Sequence, residues 1–482
     1  MYNRDYRSTR FSPLSEITPR NVPGLRQICS YAIPENSQFE SGLVAVNGIL
    51  YFTTFEHTYA IDAETCALKW SVANPQVWRG GNVRGLAFAR NRVFRGFYDG
   101  SVIAYDADSG EQVWASKLEA PQGEFAVIAA SPIAWNGMVF IGTSLAEYGH
   151  ACVVVGLDAS TGRVVWTFPL VPAGNAPGAE TWPKGVHVAG GSTWSSFTLD
   201  PDSGALYVPT GNPGPVFSGA YRPGANLYTG SVVVLDAKTG KLRTWYQLVP
   251  HDVHDFDVAA TPALITTRSG ARRAMTGGKD GYLHAIDIDA GKVAWKTAVT
   301  TIDNVDAPLT PQGTHFCPGT GGGVEWNGPA YSAITNLVYV NSVDWCSTLK
   351  LDPKLPAFEE GKAFLGSLDE YGVHDSKKVG WVTAVDADTG AVRWRYASPA
   401  PMLAGLVATA GGLLFTVDLD GNFLVFDAAT GTVLHKIATR QTSGGGVITY
   451  LSGGKQRIAV AAGLDDVSFQ VHGKPVVVVY GL

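Results

Sequence analysis

The stretch Ala104-Tyr105-Asp106-Ala107-Asp108-Ser109-Gly110-Glu111-Gln112-Val113-Trp114 decides the fold. An apolar run ends in an aspartate whose carboxylate can accept bonds from turn amides. Ser-Gly closes the turn, the glycine supplying a positive φ. A second run then carries a tryptophan. The same pattern returns at Ala60-Ile61-Asp62…Cys66…Trp70, Gly156-Leu157-Asp158…Gly162…Trp166 and Val234-Leu235-Asp236…Gly240…Trp245. It recurs again at Ala285-Ile286-Asp287…Gly291…Trp295, Ala384-Val385-Asp386…Gly390…Trp394 and Val425-Phe426-Asp427…Gly431…His435, making seven copies.

Most copies follow a further apolar strand, such as Arg92-Val93-Phe94-Arg95-Gly96 or Met138-Val139-Phe140-Ile141-Gly142. Each unit therefore reads as a four-stranded antiparallel sheet, which cannot bury both faces alone. Radial stacking, with each tryptophan docked on a neighbour, gives a propeller. The C-terminal runs Ile458-Ala459-Val460-Ala461 and Val476-Val477-Val478-Val479, with an N-terminal strand near residues 25–32, supply an eighth unit. The expectation is an all-β, eight-bladed propeller with Trp-docking repeats, one domain over 1–482, its ring closed by both chain ends in one blade. A Cys29–Cys66 bridge would pin that closure, Cys66 occupying the motif's glycine position. Pairing of Cys317 with Cys346 is also open, with Cys152 buried and free. Long gaps near 167–190 and 303–380 read as rim loops over one face, where ligands bind.

Bulk properties exclude several functions. The chain has 482 residues, a net charge of −6 and no basic stripe, which argues against a nucleic-acid partner. No apolar run is long enough to span a membrane. The opening Met1-Tyr2-Asn3-Arg4-Asp5-Tyr6-Arg7 has no signal-peptide core, so export requires a leader that this sequence lacks. Five cysteines without a Cys-x-x-Cys give neither a zinc ribbon nor covalent haem.

Chemistry concentrates in Pro250-His251-Asp252-Val253-His254-Asp255-Phe256-Asp257, which packs three acids and two histidines into eight residues. Strand-like flanks put this knot at a rim. Asp255 is read as a catalytic base beside a metal. A zinc site at His251 and His254 lacks a third soft ligand nearby.

Together with the repeats, several segments resemble those of the pyrroloquinoline quinone (PQQ)-dependent alcohol dehydrogenases, over nearly the whole chain. Asn82-Val83-Arg84-Gly85-Leu86-Ala87 is similar to the segment whose arginine pairs with a PQQ carboxylate. Gly142-Thr143-Ser144-Leu145-Ala146-Glu147-Tyr148-Gly149 resembles the segment whose glutamate binds the metal, and Gly190-Gly191-Ser192-Thr193-Trp194 the one whose tryptophan floors the quinone. Thr210-Gly211-Asn212-Pro213 matches the segment with the asparagine ligand. The acidic knot matches the segment with the base, which falls on Asp255, and Gly278-Lys279-Asp280-Gly281 the turn whose cation touches the quinone oxygens.

The resemblance thus implies Arg84, Ser144, Trp194, Lys279 and Trp326 as cofactor contacts and Glu147, Asn212, Asp255 and Asp257 as metal ligands. It implies hydride transfer from an alcohol to PQQ with Asp255 taking the proton, and Ca²⁺ as the ion, since the donors are hard oxygens. An acid at Asp257 accompanies lanthanide use in some relatives. If Asp255 to Asp257 run extended, both carboxylates share a face. The resemblance also implies a periplasmic enzyme, oxidised cysteines, a small or polymeric alcohol as substrate and a separate cytochrome c as acceptor.

Departures from the family pattern are local. The vicinal cysteines over the quinone are missing from Trp78-Arg79-Gly80-Gly81. A cofactor-contacting threonine reads Ala129, a late tryptophan reads Leu403, and an Asn-Trp pair reads Glu325-Trp326. The run from Cys317 through Tyr331 to Trp345-Cys346 resembles the polyvinyl alcohol dehydrogenase branch. The alternative from another class is a non-catalytic propeller scaffold, which accounts for the repeats but not for Glu147, Asn212 and Asp255 together.

Overall fold

The computed structural model describes residues 3–74, 81–119 and 126–482. Trp78, Arg79 and Gly80, expected to replace the vicinal cysteines, lie outside the described residues. Among these residues the protein is all-β, with helical structure limited to four three-residue 3₁₀ turns. It has the β-propeller architecture. Eight of its sheets have four strands or more. Seven follow the chain in order, spanning 44–73, 87–117, 133–169, 198–247, 263–298, 330–398 and 407–438. The eighth pairs the N-terminal strand Arg26–Ala32 with the C-terminal strand Val476–Gly481, placing Cys29 opposite Val479.

Each repeat makes its turn as its residues dictate. Asp62 Oδ1 accepts the Glu64 and Thr65 amides at 3.1 and 2.9 Å and the Thr65 hydroxyl at 3.0 Å. Asp106 and Asp158 repeat this arrangement with Ser109 and with Ser160 and Thr161. The tryptophan of five units then donates its indole N–H to the turn of the next. Trp70 bonds the Ala107 carbonyl at 2.9 Å, Trp114 that of Ala159 at 3.1 Å, Trp166 that of Ala237 at 3.1 Å and Trp394 that of Ala428 at 3.1 Å. Its ring covers the turn glycine so closely that a Cβ on Gly162 would come 2.5 Å from Trp114.

One copy departs from the expected pattern. In the sheet over 198–247 the docking position, opposite Val234, is Thr244 rather than Trp245. Trp245 lies one residue further on, so period two sends it to the other face, against Tyr228. At the first copy a covalent link takes the place of a docked ring. Cys66 sits at φ 58° in the glycine position and is bonded to Cys29. Cys317 and Cys346 form the second disulfide, and Cys152 is a buried thiol outside both disulfides, as expected.

Eight apolar cores lie between sheets rather than within them. Tyr51 and Trp70 of one sheet pack on Val93 and Ile103 of the next. Phe415 and Val425 pack on Ile458 and Val460, and Tyr59 and Ile61 on Val477 and Val479. The N-terminal segment crosses several sheets as a strap. Carbonyls of Tyr6, Arg7, Thr9 and Arg10 accept the amides of Leu199, Leu264, Tyr331 and Ala408, at 2.8 to 3.0 Å. Among the described residues, no helix is long and apolar enough to cross a membrane.

The repeated turns fix the acid stability of the fold. Bonds from the Thr65 amide hold Asp62 down at about 2, and bonds from the Ser160 hydroxyl hold Asp158 at about 2, against an ordinary 3.8. The Ser109 amide depresses Asp106 in the same way. A depressed folded-state pKa stabilises above the unfolded value and stops doing so as pH falls through the folded one. The melting temperature is therefore expected to fall progressively from about pH 4 to about pH 2. A thermal-melt series that is flat over that window contradicts this reading.

Candidate active site

Two kinds of connection bring functional side chains to the same end of the sheets. Hairpins between second and third strands carry Ser144 and Glu147, Asn212, and Lys279. Links that run into the first strand of the next sheet carry Arg84, Trp194, Asp255 with Asp257, and Glu325 with Trp326. They meet at a cavity of about 440 Å³ lined by Arg84, Ser144, Glu147, Trp194, Asp255, Asp257, Lys279 and Trp326. Asn212 lies just behind, fully buried. A roomier crevice of about 750 Å³ beside Arg7 and Asp200 gathers none of these residues.

Asp255 is the centre of the site. Its Oδ2 accepts the Lys279 ammonium at 2.6 Å, and its Oδ1 accepts the Asn212 amide at 3.0 Å. Burial pushes its pKa up, with Lys279 pulling back and Asp257 pushing the same way as burial. The expected extended run from Asp255 to Asp257 does not occur. Asp255 adopts φ 66°, and the segment is irregular. Both carboxylates still reach the cavity, but by a left-handed turn. Asp257 is engaged on both oxygens: Oδ1 accepts the Asn212 backbone amide at 2.5 Å and Oδ2 the Trp194 indole at 3.1 Å. Gly211 permits this approach, since a Cβ there would stand 2.7 Å from Asp257 Oδ1.

Arg84 has a partner that sequence reasoning missed. Its guanidinium is ion-paired with Glu40, both side chains 1% exposed, and Nε donates to the Trp194 carbonyl at 3.3 Å. It lies 3.9 Å from the Trp326 ring centroid and 5.3 Å from that of Trp194. Burial drives Glu40 up to about 8 despite Arg84. Ser144 lines the cavity, and its hydroxyl donates to the Thr193 carbonyl at 3.0 Å. Ala129 also lines the cavity, whereas Leu403 is buried in the apolar cluster behind Trp326.

The donor set suits a hard cation. Asn212 Oδ1 is buried with no hydrogen-bond partner, an arrangement that costs free energy unless something electropositive meets it. Asp255 stands against the Asn212 amide, and Glu147 offers a further carboxylate in the lining of the same cavity. Six acids line the cavity (Glu40, Glu147, Asp255, Asp257, Glu325 and Asp466) against Arg84 and Lys279. Burial and this crowding lift Glu147 and Glu325 each to about 7. A multivalent cation relieves that excess, and three oxygen donors favour Ca²⁺ or a lanthanide over a soft metal. The flat indoles of Trp194 and Trp326, crossing at 63°, and the cations Arg84 and Lys279 fit a planar polycarboxylate such as PQQ.

The rest of the lining also escaped the sequence reading. Thr320, Trp345, Tyr371 and His374 come from the 303–380 region, and Phe469 from a loop near the C-terminus. Only the cysteines flanking this region signalled that it is held in place.

Comparison with known proteins agrees with the geometry. Residues 1–296 match the model of the glucose/ethanol/alcohol dehydrogenase β-propeller domain of the PQQ family, and residues 341–477 that of outer membrane protein assembly factor BamB. The chain belongs to the PQQ-dependent, or quinoprotein, alcohol dehydrogenase family. It is 30% identical to the dehydrogenase subunit of the quinone alcohol dehydrogenase of Gluconacetobacter polyoxogenes, over 96% of this chain and 71% of that protein. Identity to the lanthanide-dependent methanol dehydrogenase of Methylacidiphilum fumariolicum is 28%, over 96% of this chain and 84% of that one. Among solved structures, a europium-containing methanol dehydrogenase superposes with a TM-score of 0.88 at 25% identity, covering 100% of this chain and 97% of the other. The quinohemoprotein alcohol dehydrogenase of Comamonas testosteroni gives 0.90 at 27% identity, covering 100% and 80%.

Proposed function

We propose that the cavity around Asp255 is where this quinoprotein oxidises an alcohol to an aldehyde or ketone. The observation that carries this is the oxygen cluster of Glu147, Asn212 and Asp255, with Asn212 Oδ1 bare and Lys279 bridged to Asp255. Glu147, Asn212 and Asp255 hold the cation. PQQ, when bound, accepts the two electrons of the alcohol while the cation polarises its carbonyl. Asp255 takes the hydroxyl proton of the substrate. Lys279 offsets part of the burial that raises Asp255 and stands ready to bond a quinone oxygen. Arg84, steadied by Glu40 and the two indoles, meets a cofactor carboxylate. Trp194 is the floor, with Trp326 beside it, and Ser144 contributes a further cofactor contact from the wall.

Asp257 serves as a brace in this scheme, holding Asn212 and Trp194, and each of its oxygens keeps a lone pair that can still meet the metal. Ca²⁺ and a lanthanide are both compatible with the donors. The excess of acids favours the higher charge. Reconstitution of apo-protein with PQQ and either Ca²⁺ or La³⁺ tests this. Activity is expected with at least one ion, and Asp257→Ala is expected to lower activity with both, because the brace is lost. Full activity of Asp257→Ala with both ions would remove Asp257 from the site. Trp194→Ala is expected to weaken PQQ binding in a fluorescence titration by about tenfold or more, the stacking surface being lost. Unchanged affinity would exclude Trp194 as the floor.

The frame for this site is a single domain over 1–482. Its eight sheets are the blades of one ring, closed where Arg26–Ala32 joins Val476–Gly481 and fastened by Cys29–Cys66. In support, each interface core joins sequential sheets and one joins the last to the first. The 167–190 and 303–380 inserts lie on the rim, the latter over the cavity. Disulfides suit an oxidising periplasm, where electrons leave the reduced cofactor to an acceptor such as a cytochrome c. A non-catalytic scaffold is the weaker reading, because it gives no use to the oxygen cluster.

A further inference from the structure

We propose that Tyr371 is a specificity-determining residue that bonds a second hydroxyl of the substrate, so that the preferred alcohols are diols and polyols. The inference rests on the reading of the Asp255 cavity as the site of alcohol oxidation.

Tyr371 belongs to the 303–380 insert yet shares the cavity lining with Asp255, Asp257 and Glu147. Its segment is held firmly. The strands Thr314–Phe316, Ser347–Leu349 and Val373–His374 form a small sheet of their own, and Cys317–Cys346 crosses its base. Thr320 Oγ1 donates to the Tyr371 carbonyl at 2.7 Å. A hydroxyl has one proton, so the 3.2 Å contact between Thr320 Oγ1 and His374 Nε2 has the imidazole donating. His374 is further fixed by lying against Trp345, ring centroids 4.1 Å apart. The Tyr371 ring meets Phe217 edge-on at 6.1 Å. Tyr371 is 37% exposed, but its backbone and its ring are both held where it lines the cavity.

Its surroundings define what it can recognise. Burial, and then the field of Glu147, Asp255 and Asp257, keep the phenol protonated and able to donate. The neighbouring wall is otherwise aromatic, formed by Trp345 and Phe469. An alcohol reacting at Asp255 shares the cavity with this wall, which its carbons beyond the reacting one can meet. A plain alkyl chain would displace water from the Tyr371 hydroxyl without replacing its bond, whereas a second hydroxyl would pair with it. A site built to bond a hydroxyl discriminates against the analogue lacking it far more strongly than an apolar pocket discriminates by size.

The test uses the full chain loaded with PQQ and either Ca²⁺ or La³⁺. Ethanol is compared with ethylene glycol, and propanol with glycerol, for wild type, Tyr371→Phe and Thr320→Val. Wild type is expected to have the higher kcat/KM for the polyol of each pair. Tyr371→Phe is expected to lower polyol kcat/KM about tenfold or more beyond its effect on the mono-alcohol, mainly through KM. Thr320→Val, which loosens the same wall but keeps the phenol, should lose polyol preference in the same direction by a smaller factor. Equal losses for both members of each pair, or full polyol preference in both variants, would overturn the proposal while leaving alcohol oxidation intact. A wild type that oxidises none of the four would overturn it together with its parent reading.

Discussion

Replacing Asp255 by asparagine lowers kcat by about 10²–10⁴-fold, the range that a positioned general base contributes. The substitution keeps the shape of the side chain but not its function. An amide cannot take the alcohol proton, and it has a single acceptor where the carboxylate has two. Asp255 accepts from both Lys279 and Asn212, so the amide satisfies one and leaves the other facing a second donor. An unpartnered buried donor costs about 1–3 kcal/mol, so a lower melting temperature accompanies the loss of turnover. Stopped-flow and steady-state rates on protein matched for PQQ content separate the two effects. A variant that binds PQQ and turns over within about tenfold of wild type would mean that another group takes the proton.

If Asn212 holds the cation as proposed, Asn212→Ala is expected to lose it. The substitution removes the bare Oδ1 and also the amide that steadies Asp255. Groups that merely orient ligands are worth about 10–100-fold in metal affinity, and a ligand that also orients another should cost at least that much. Calorimetric titration of apo-protein with Ca²⁺ and with La³⁺ is expected to show the loss for both ions. Glu147→Gln should weaken both as well, and La³⁺ more, because it removes a charge and keeps an oxygen. Wild-type affinity in Asn212→Ala would place the cation elsewhere in the cavity.

Much of this architecture was legible because the repeat is local. Asp62, Asp106 and Asp158 bond amides two and three residues on, so eleven residues of sequence such as Ala104–Trp114 contain the whole device. Trp245 misled for a reason equally local. Counting to the tryptophan rather than to the position opposite Val234 crosses a one-residue offset, and a strand turns over at every residue. The segments with Arg84, Glu147, Trp194, Asn212, Asp255 and Lys279 were found because their patterns resemble those of a family. Nothing in composition assembled them. Glu40 was invisible, being one acid in Gln38-Phe39-Glu40-Ser41-Gly42 whose partner Arg84 is far along the chain. Tyr371 and His374 were missed because the insert that carries them has no period, and only tertiary contacts with Thr320, Trp345 and Phe217 aim them at the cavity. The left-handed Asp255 was likewise unreadable, since an aspartate in a polar knot is equally at home extended.

The most direct test of the central claim is an anaerobic single-turnover experiment on PQQ-loaded protein carrying its cation. With no electron acceptor present, mixing with excess alcohol should reduce the quinone absorbance once, with a matching yield of carbonyl product per cofactor. Asp255→Asn loaded to the same PQQ content should give that reduction only on a time scale longer by about 10²–10⁴-fold. Reduction at the wild-type rate in this variant, or product formed without any loss of quinone absorbance, would contradict the assignment of this cavity and of Asp255 to the reaction.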